Sequence, residues 1–121
     1  MDRNDAMRLA DELLDHHGLT SKGWVFQFDM ARRRFGACHY TSRKITLSQH
    51  ITEMNDEAEV RNTILHEIAH ALAGHAAAHG PHWQRVCLEI GGDGVRCYSA
   101  ARVATPPTRV VFDMTFLGGE G

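Results

Sequence analysis

The segment around His66-Glu67-Ile68-Ala69-His70 restricts the fold of this chain more than any other feature. Apolar residues recur through it at intervals of three and four positions, at Val60, Ile64, Ile68, Ala71 and Leu72. At about 100° per residue they form one stripe of an α-helix, and the two histidines point to the opposite side. Because residues four apart are neighbours on a helix, both imidazoles can reach one metal ion. We therefore expect a helix that buries one face and presents a metal site from the other.

Capping residues mark the limits of this helix and of a following one. Asp56 is the predicted N-cap, and Glu59 three residues later completes a capping-box pattern. Gly74 is the predicted end. The next helix is predicted to begin at Pro81, a favourable first helical residue, and to stop at Gly91.

The first part of the chain predicts a helix and three strands. The helix ends at Gly18, and segments 24–28, 35–40 and 44–48 are rich in β-forming residues. Their short links predict an antiparallel meander. The predicted fold class is α+β, with an N-terminal helix, a small three-stranded antiparallel sheet, the helix that carries His66 and His70, and a following helix.

Length and composition limit the organisation and the partners. The 121 residues predict a single domain over 1–105, followed by a tail or a late strand over 106–121. No stretch approaches the roughly 20 apolar residues of a membrane span, and the absence of an export signal predicts a cytoplasmic location. The net charge of −2 supplies no field that would recruit nucleic acid. We expect a monomer.

The histidines predict one zinc ion per chain. Five of the nine histidines fall between positions 66 and 82, and imidazole is the commonest metal ligand in proteins. His66 and His70 are predicted ligands. Glu67 lies beside the metal, where it can take a proton from zinc-bound water and pass it to the leaving amine. This arrangement is typical of a zinc-dependent endopeptidase.

The third ligand has several candidates. His75 would point away from the pair on a continuing helix, whereas His79 follows the helix end and precedes Pro81, where the chain can turn back. His82, on the first turn of the next helix, is the second candidate. Glu89, in the last turns of that helix, ranks below both.

Taken together, these segments resemble the SprT-like family of zinc metallopeptidases, which includes Spartan. The matching pieces run in order through Trp24, Phe28-Asp29, Ala31-Arg32, Gly36-x-Cys38, Ile45-x-Leu47-Ser48, residues 63–71 and His79-Gly80-Pro81-His82-Trp83. The last piece is similar to an HGPxF/W element of the family. The resemblance implies a minimal zincin-like metallopeptidase fold built around the HExxH helix and the helix after it. It also implies that His79 is the third zinc ligand, and that protein chains or peptides are the substrates.

The chain departs from the family at two points. The family often has an acid where this chain has His82, so His82 is kept as an additional contact. Many members carry a cysteine zinc ribbon, whereas only Cys97 stands in that part of this chain, so no ribbon is expected. The eukaryotic members cleave proteins crosslinked to DNA, but their extra DNA-binding segments have no counterpart here.

An arginine run, two tyrosines and a tryptophan are further residues of interest. Arg32, Arg33 and Arg34 form a basic turn that would contact nucleic acid or, more commonly, is simply solvated. Tyr40 and Tyr98 are candidates to stabilise the oxyanion. Trp83 is predicted to lie in the core.

Two further functions compete with the peptidase. One is a non-catalytic module that holds zinc for structure or binds a protein or nucleic acid partner. The other is a nucleic-acid-binding domain with an incidental metal. Glu67 favours the enzyme, because a structural zinc site has closed coordination and needs no general base.

Overall fold

The structure, a computed structural model, describes residues 1–95 and residue 104. In chain order the elements are α1 (Arg3–His16), β1 (Val25–Asp29), β2 (Gly36–His39), β3 (Lys44–Ser48), α2 (Gln49–Met54), α3 (Glu57–Ala73) and α4 (Pro81–Glu89). Single 3-10 turns occupy Thr20–Lys22 and His75–Ala77. The α+β class is confirmed. Cys97, Tyr98 and the tail at 106–121 lie outside the described residues.

Helix α1 covers the main core through one apolar stripe. The side chain of Asp2 caps its first turn by accepting a hydrogen bond from the backbone N–H of Asn4 at 3.2 Å. Its buried residues recur at helical spacing, at Ala6, Leu9, Ala10 and Leu14. They pack against α3 and β1, so the core lies between α1, the sheet and α3.

The three strands form a mixed sheet in the order β1-β3-β2. Strands β2 and β3 pair antiparallel, as expected for a hairpin, but β1 pairs with β3 in parallel, from Val25 opposite Lys44 to Asp29 opposite Ser48. The predicted antiparallel meander is therefore wrong. Residues 30–35 carry the chain past β3 to its far edge, which requires a crossing of only about 10 Å. This order places β3 in the centre, where Ile45 and Leu47 are completely buried.

A short helix, α2, was not predicted. Ser48 is the last residue of β3 and the N-cap of α2, since its hydroxyl accepts from the N–H of Ile51 at 3.1 Å and donates to the carbonyl of Ala31 at 2.6 Å. Asn55 ends the helix. Its side-chain amide donates to the carbonyl of Ala104 at 2.8 Å and accepts from the N–H of Ala104 at 3.0 Å, which ties residue 104 to the junction of α2 and α3.

Helix α3 has the predicted limits but a different burial. Asp56 caps it by accepting from the N–H of Glu59 at 3.0 Å, and Gly74 ends it with a φ of +94°. Burial is not confined to one stripe, because Thr63, Leu65, His66, Glu67, Ala69 and His70 are buried as well. Leu72, assigned to the buried stripe, is 37% exposed instead. The histidine side is covered because α4 and the 3-10 turn at His75–Ala77 fold back against α3.

Helix α4 begins at Pro81, as predicted, and buries Trp83 and Cys87 against Ala69 of α3. Among the helices described, none combines the length and the hydropathy that a bilayer crossing requires.

Candidate metal centre

Two elements bring three histidines to one point. His66 and His70 lie one turn apart on α3, and His79 follows the 3-10 turn. The chain reverses there: Ala78 adopts a φ of +45°, and the N–H of Gly80 donates to the carbonyl of Ala77 at 2.8 Å. A side chain at Gly80 would place its Cβ only 3.1 Å from that carbonyl oxygen, so a glycine suits the tight return.

The three imidazoles have the spacing of a metal site. Nε2 of His79 lies 3.2 Å from Nε2 of His66 and 3.0 Å from Nε2 of His70, and the candidate ligand atoms of all three lie within 4.8 Å of one another. Two nitrogens bound tetrahedrally to one zinc ion at the usual bond length would be about 3.3 Å apart. The residues present therefore fit a single ion.

Burial keeps two of these imidazoles neutral. Burial, followed by the charges of His70 and His79, holds the pKa of His66 well below its ordinary 6.5. Burial, followed by the charges of His79 and His75, lowers the pKa of His70 to about 3. Neutral imidazole is the form that binds a metal, so these side chains are ready to act as ligands at neutral pH.

Glu67 is buried beside the histidine group without belonging to it. The side chain follows His66 on α3 and is 1% exposed. Among the described residues, the group that could hold a metal contains His66, His70 and His79 but not Glu67. Glu67 is therefore a buried chain neighbour of a candidate ligand and is not required as a ligand itself.

The indole of Trp83 contacts all three imidazoles. Its ring centroid lies 4.7 Å from that of His66, 5.3 Å from that of His70 and 4.8 Å from that of His79. The prediction of a buried core residue is confirmed, but the contact with the three histidines was not foreseen. Its signal in the sequence is the spacing from His79 to Trp83, which places the indole on the first turn of α4 directly after the third histidine.

The remaining candidates lie apart from this group. His75 is exposed, and its ring meets that of Tyr40 edge-on at 5.0 Å. His82 is exposed on α4 and is not part of the histidine group among the described residues. A role for His82 or Tyr98 stays a prediction.

The three arginines of the basic turn have different surroundings. Arg32 and Arg33 are exposed, whereas Arg34 pairs with the carboxylate of Asp29 at 3.2 Å. Contact of this turn with nucleic acid stays a prediction.

Comparisons with known proteins identify a matching sequence family and a solved structure with a similar fold. The sequence model of the SprT-like family matches residues 5–104. No curated protein matches the chain. The chain is similar to the crystal structure of the metallopeptidase zymogen of Pyrococcus abyssi abylysin, with a TM-score of 0.58 and 18% identity, over 70% of this chain and 78% of that one. At this identity the likeness concerns the fold.

Proposed function

The chain belongs to the SprT-like family, and we propose that it is a zinc-dependent endopeptidase with His66, His70 and His79 as its metal ligands and Glu67 as its general base. The observation that carries the proposal is the convergence of three Nε2 atoms, two pairs of which lie 3.2 and 3.0 Å apart. Three histidine ligands would leave one position on a zinc ion for water or substrate, which is the arrangement of catalytic rather than structural zinc sites.

A zinc ion held by His66, His70 and His79 would supply Lewis acidity, which polarises a scissile carbonyl and makes a water molecule more acidic. His66 and His70 would hold the ion in their neutral form, because burial lowers the pKa of both, and the burial of these two rings would keep bulk water from their side of the ion. The neutral imidazoles and the exclusion of water both require α4 to remain packed on α3, because α4 covers the histidine side of that helix.

Glu67 moves the proton in this proposal. Its carboxylate accepts a proton from the attacking water and then donates it to the nitrogen of the departing amine. The position of Glu67 directly after His66 on α3, and its burial there, support this role, because a general base must lie within hydrogen-bond reach of the reacting water. No ligand role competes with it, since three histidines already provide the usual protein ligands.

The test measures metal content and proteolysis in the same preparation. The chain is purified without added metal, its zinc is quantified, and a denatured protein is offered as substrate before and after chelation. We expect about one zinc per chain, cleavage by the loaded protein, and recovery of cleavage when zinc is restored. A zinc-loaded protein that cleaves no polypeptide would contradict the peptidase and favour a binding module, and a protein that takes up no zinc would contradict the metal site.

A further inference from the structure

The side chain of Trp83 contacts all three histidines of the candidate metal site. Its ring is stacked on that of His70, with an angle of 21° between the planes, and meets the ring of His79 edge-on at 88°. The ring of His66 is tilted against it at 59°. One rigid side chain therefore limits the orientation of three imidazoles at once.

The ring of His70 has no hydrogen bond from Nδ1 to a protein group among the described residues. Such a histidine normally donates its second ring N–H to a carboxylate, a carbonyl or water, which fixes the ring. Nδ1 of His70 is buried and has no hydrogen-bond partner in the part of the chain that the structure describes. The torsion that rotates an imidazole is broad, so this ring needs another restraint.

Trp83 is itself held in place. Its indole N–H donates to the backbone carbonyl of His66 at 3.2 Å, and its side chain is 1% exposed. The hydrogen bond joins the first turn of α4 to the ligand-bearing turn of α3. The indole is thus a fixed surface on which the imidazole of His70 stacks.

We propose that Trp83 is a positioning residue that sets the metal affinity of this site, with ring stacking on His70 in place of the usual hydrogen bond donated by its Nδ1–H. The inference rests on the proposed function insofar as it requires a bound metal. An imidazole that binds a metal ion gains positive character, and the indole face is the best aromatic partner for a cation. Trp83 should therefore stabilise the loaded site more than the empty one.

The experiment compares zinc affinity, by competition with a chelator, among matched variants. Trp83→Leu removes the ring, and Trp83→Phe keeps a ring but loses the indole N–H. The control is Trp24→Leu, the same change at the other tryptophan, which is buried in the separate core around α1 and the sheet. Loss of a residue that supports a ligand typically costs about 10- to 100-fold in metal affinity. We expect this loss for Trp83→Leu, a smaller loss for Trp83→Phe, and less than about a threefold change for the control.

A second measurement needs no change at Trp83, and so does not depend on the folding of its variants. Trp24→Phe leaves Trp83 as the single tryptophan. Its emission should change on addition of zinc and level off at one equivalent, whereas Trp83→Phe, which retains Trp24, should show no such change. Cobalt(II) absorption spectra of the same proteins report whether the ligand geometry is distorted in Trp83→Leu.

The outcomes separate this inference from the proposed function. A native chain that binds no zinc would contradict the metal site itself. If the native chain binds zinc and folded Trp83→Leu binds it equally tightly, only the positioning role is wrong. If Trp83→Leu does not fold, unchanged emission of Trp83 on zinc binding overturns the role. The expected loss of affinity in a protein that cleaves nothing would support the role and contradict the peptidase.

Discussion

Nε2 of His79 lies 3.0 Å from Nε2 of His70, although the end of α3 and a 3-10 turn separate the two residues. The approach depends on the reversal of the chain at Ala78, which returns His79 to the helix it has just left. His75, nearer in the sequence, remains exposed at the edge of this return.

Substitution of His79 should therefore affect zinc binding more than substitution of its neighbours. His79→Ala removes a ligand, so zinc affinity should fall by more than the roughly 100-fold that loss of a supporting residue can cost. His75→Ala and His82→Ala are controls with the same change at exposed positions. Chelator competition measures all three. Equal losses for His79→Ala and His82→Ala would show that the third ligand is assigned wrongly.

Glu67→Gln should separate metal binding from catalysis. The amide has almost the shape of the carboxylate but cannot accept the proton from water, and general acid–base catalysis contributes about 10²- to 10⁴-fold. We expect native zinc content with a loss of activity in that range. Glu57→Gln, the same change at an exposed position at the start of α3, is the control. Activity of Glu67→Gln near that of the native protein would exclude Glu67 as the base.

Gly36→Ala should destabilise the packing of the sheet on α3. A Cβ at this position would lie 3.0 Å from Cδ2 of Leu47, 3.1 Å from Cγ2 of Thr63 and 3.2 Å from the carbonyl oxygen of Thr46. Overpacking of this kind typically costs about 1–3 kcal/mol in the free energy of unfolding, which urea denaturation measures.

A double variant tests the cause of that loss. Thr63→Ser removes the crowded methyl group and keeps the hydroxyl that donates to the carbonyl of Glu59 at 2.9 Å. The combined variant should lose less stability than the sum of the two single changes. Strict additivity would show that the clash with Thr63 is not the source of the cost.

The stability of the protein should fall at alkaline pH in a way that depends on Cys87. Burial is the largest cause that raises the pKa of this thiol from 9.0 to about 11, and the charges of Asp93 and Glu67 contribute. Between these two values the folded chain binds more protons at this site than the unfolded chain. The free energy of unfolding therefore decreases as the pH rises from about 9 to about 11.

Cys87→Ala provides the comparison, because it cannot titrate at this position. The variant loses packing at every pH, so the quantity to compare is the slope of the unfolding free energy between pH 9 and 11. We expect a shallower slope for the variant. Parallel curves would show that the thiol does not carry this pH dependence.

The limits of α3 and α4, the helices on either side of His79, were predictable because they depend on local chemistry. Asp56 caps α3, Gly74 ends it and Pro81 begins α4, each through its own backbone or side-chain preferences. The approach of His66, His70 and His79 also follows from short distances along the chain. The sequence alone could therefore indicate that these three histidines form one group.

The sheet order and the surroundings of the histidines depend on distant contacts, and sequence patterns did not predict them. Strand β2 lies between β1 and β3 in the sequence, but the parallel pairing of β1 with β3 puts β2 on the opposite edge of β3. No local turn residue encodes that choice. Helix α2 was missed because Ser48 ends a strand and caps a helix at once. Burial of the histidine side of α3 requires α4 to fold back, which brings Trp83 against the imidazoles.

The paired hydrogen bonds between Asn55 and Ala104 determine which substitutions the protein should tolerate at these two positions. The amide of Asn55 donates one N–H to the carbonyl of residue 104 and accepts from its N–H, as a peptide group would, and it also donates to the carbonyl of Ile51 at 2.8 Å. At residue 104 only the backbone takes part in these bonds. The side chain of Ala104 is exposed and takes no part, so position 104 should accept almost any residue except proline, which lacks the N–H. Position 55 is restricted, since aspartate keeps the acceptor and loses the donor. A comparison of unfolding free energies for Ala104→Ser, Ala104→Pro and Asn55→Asp would reveal this asymmetry between two residues that share the same pair of bonds.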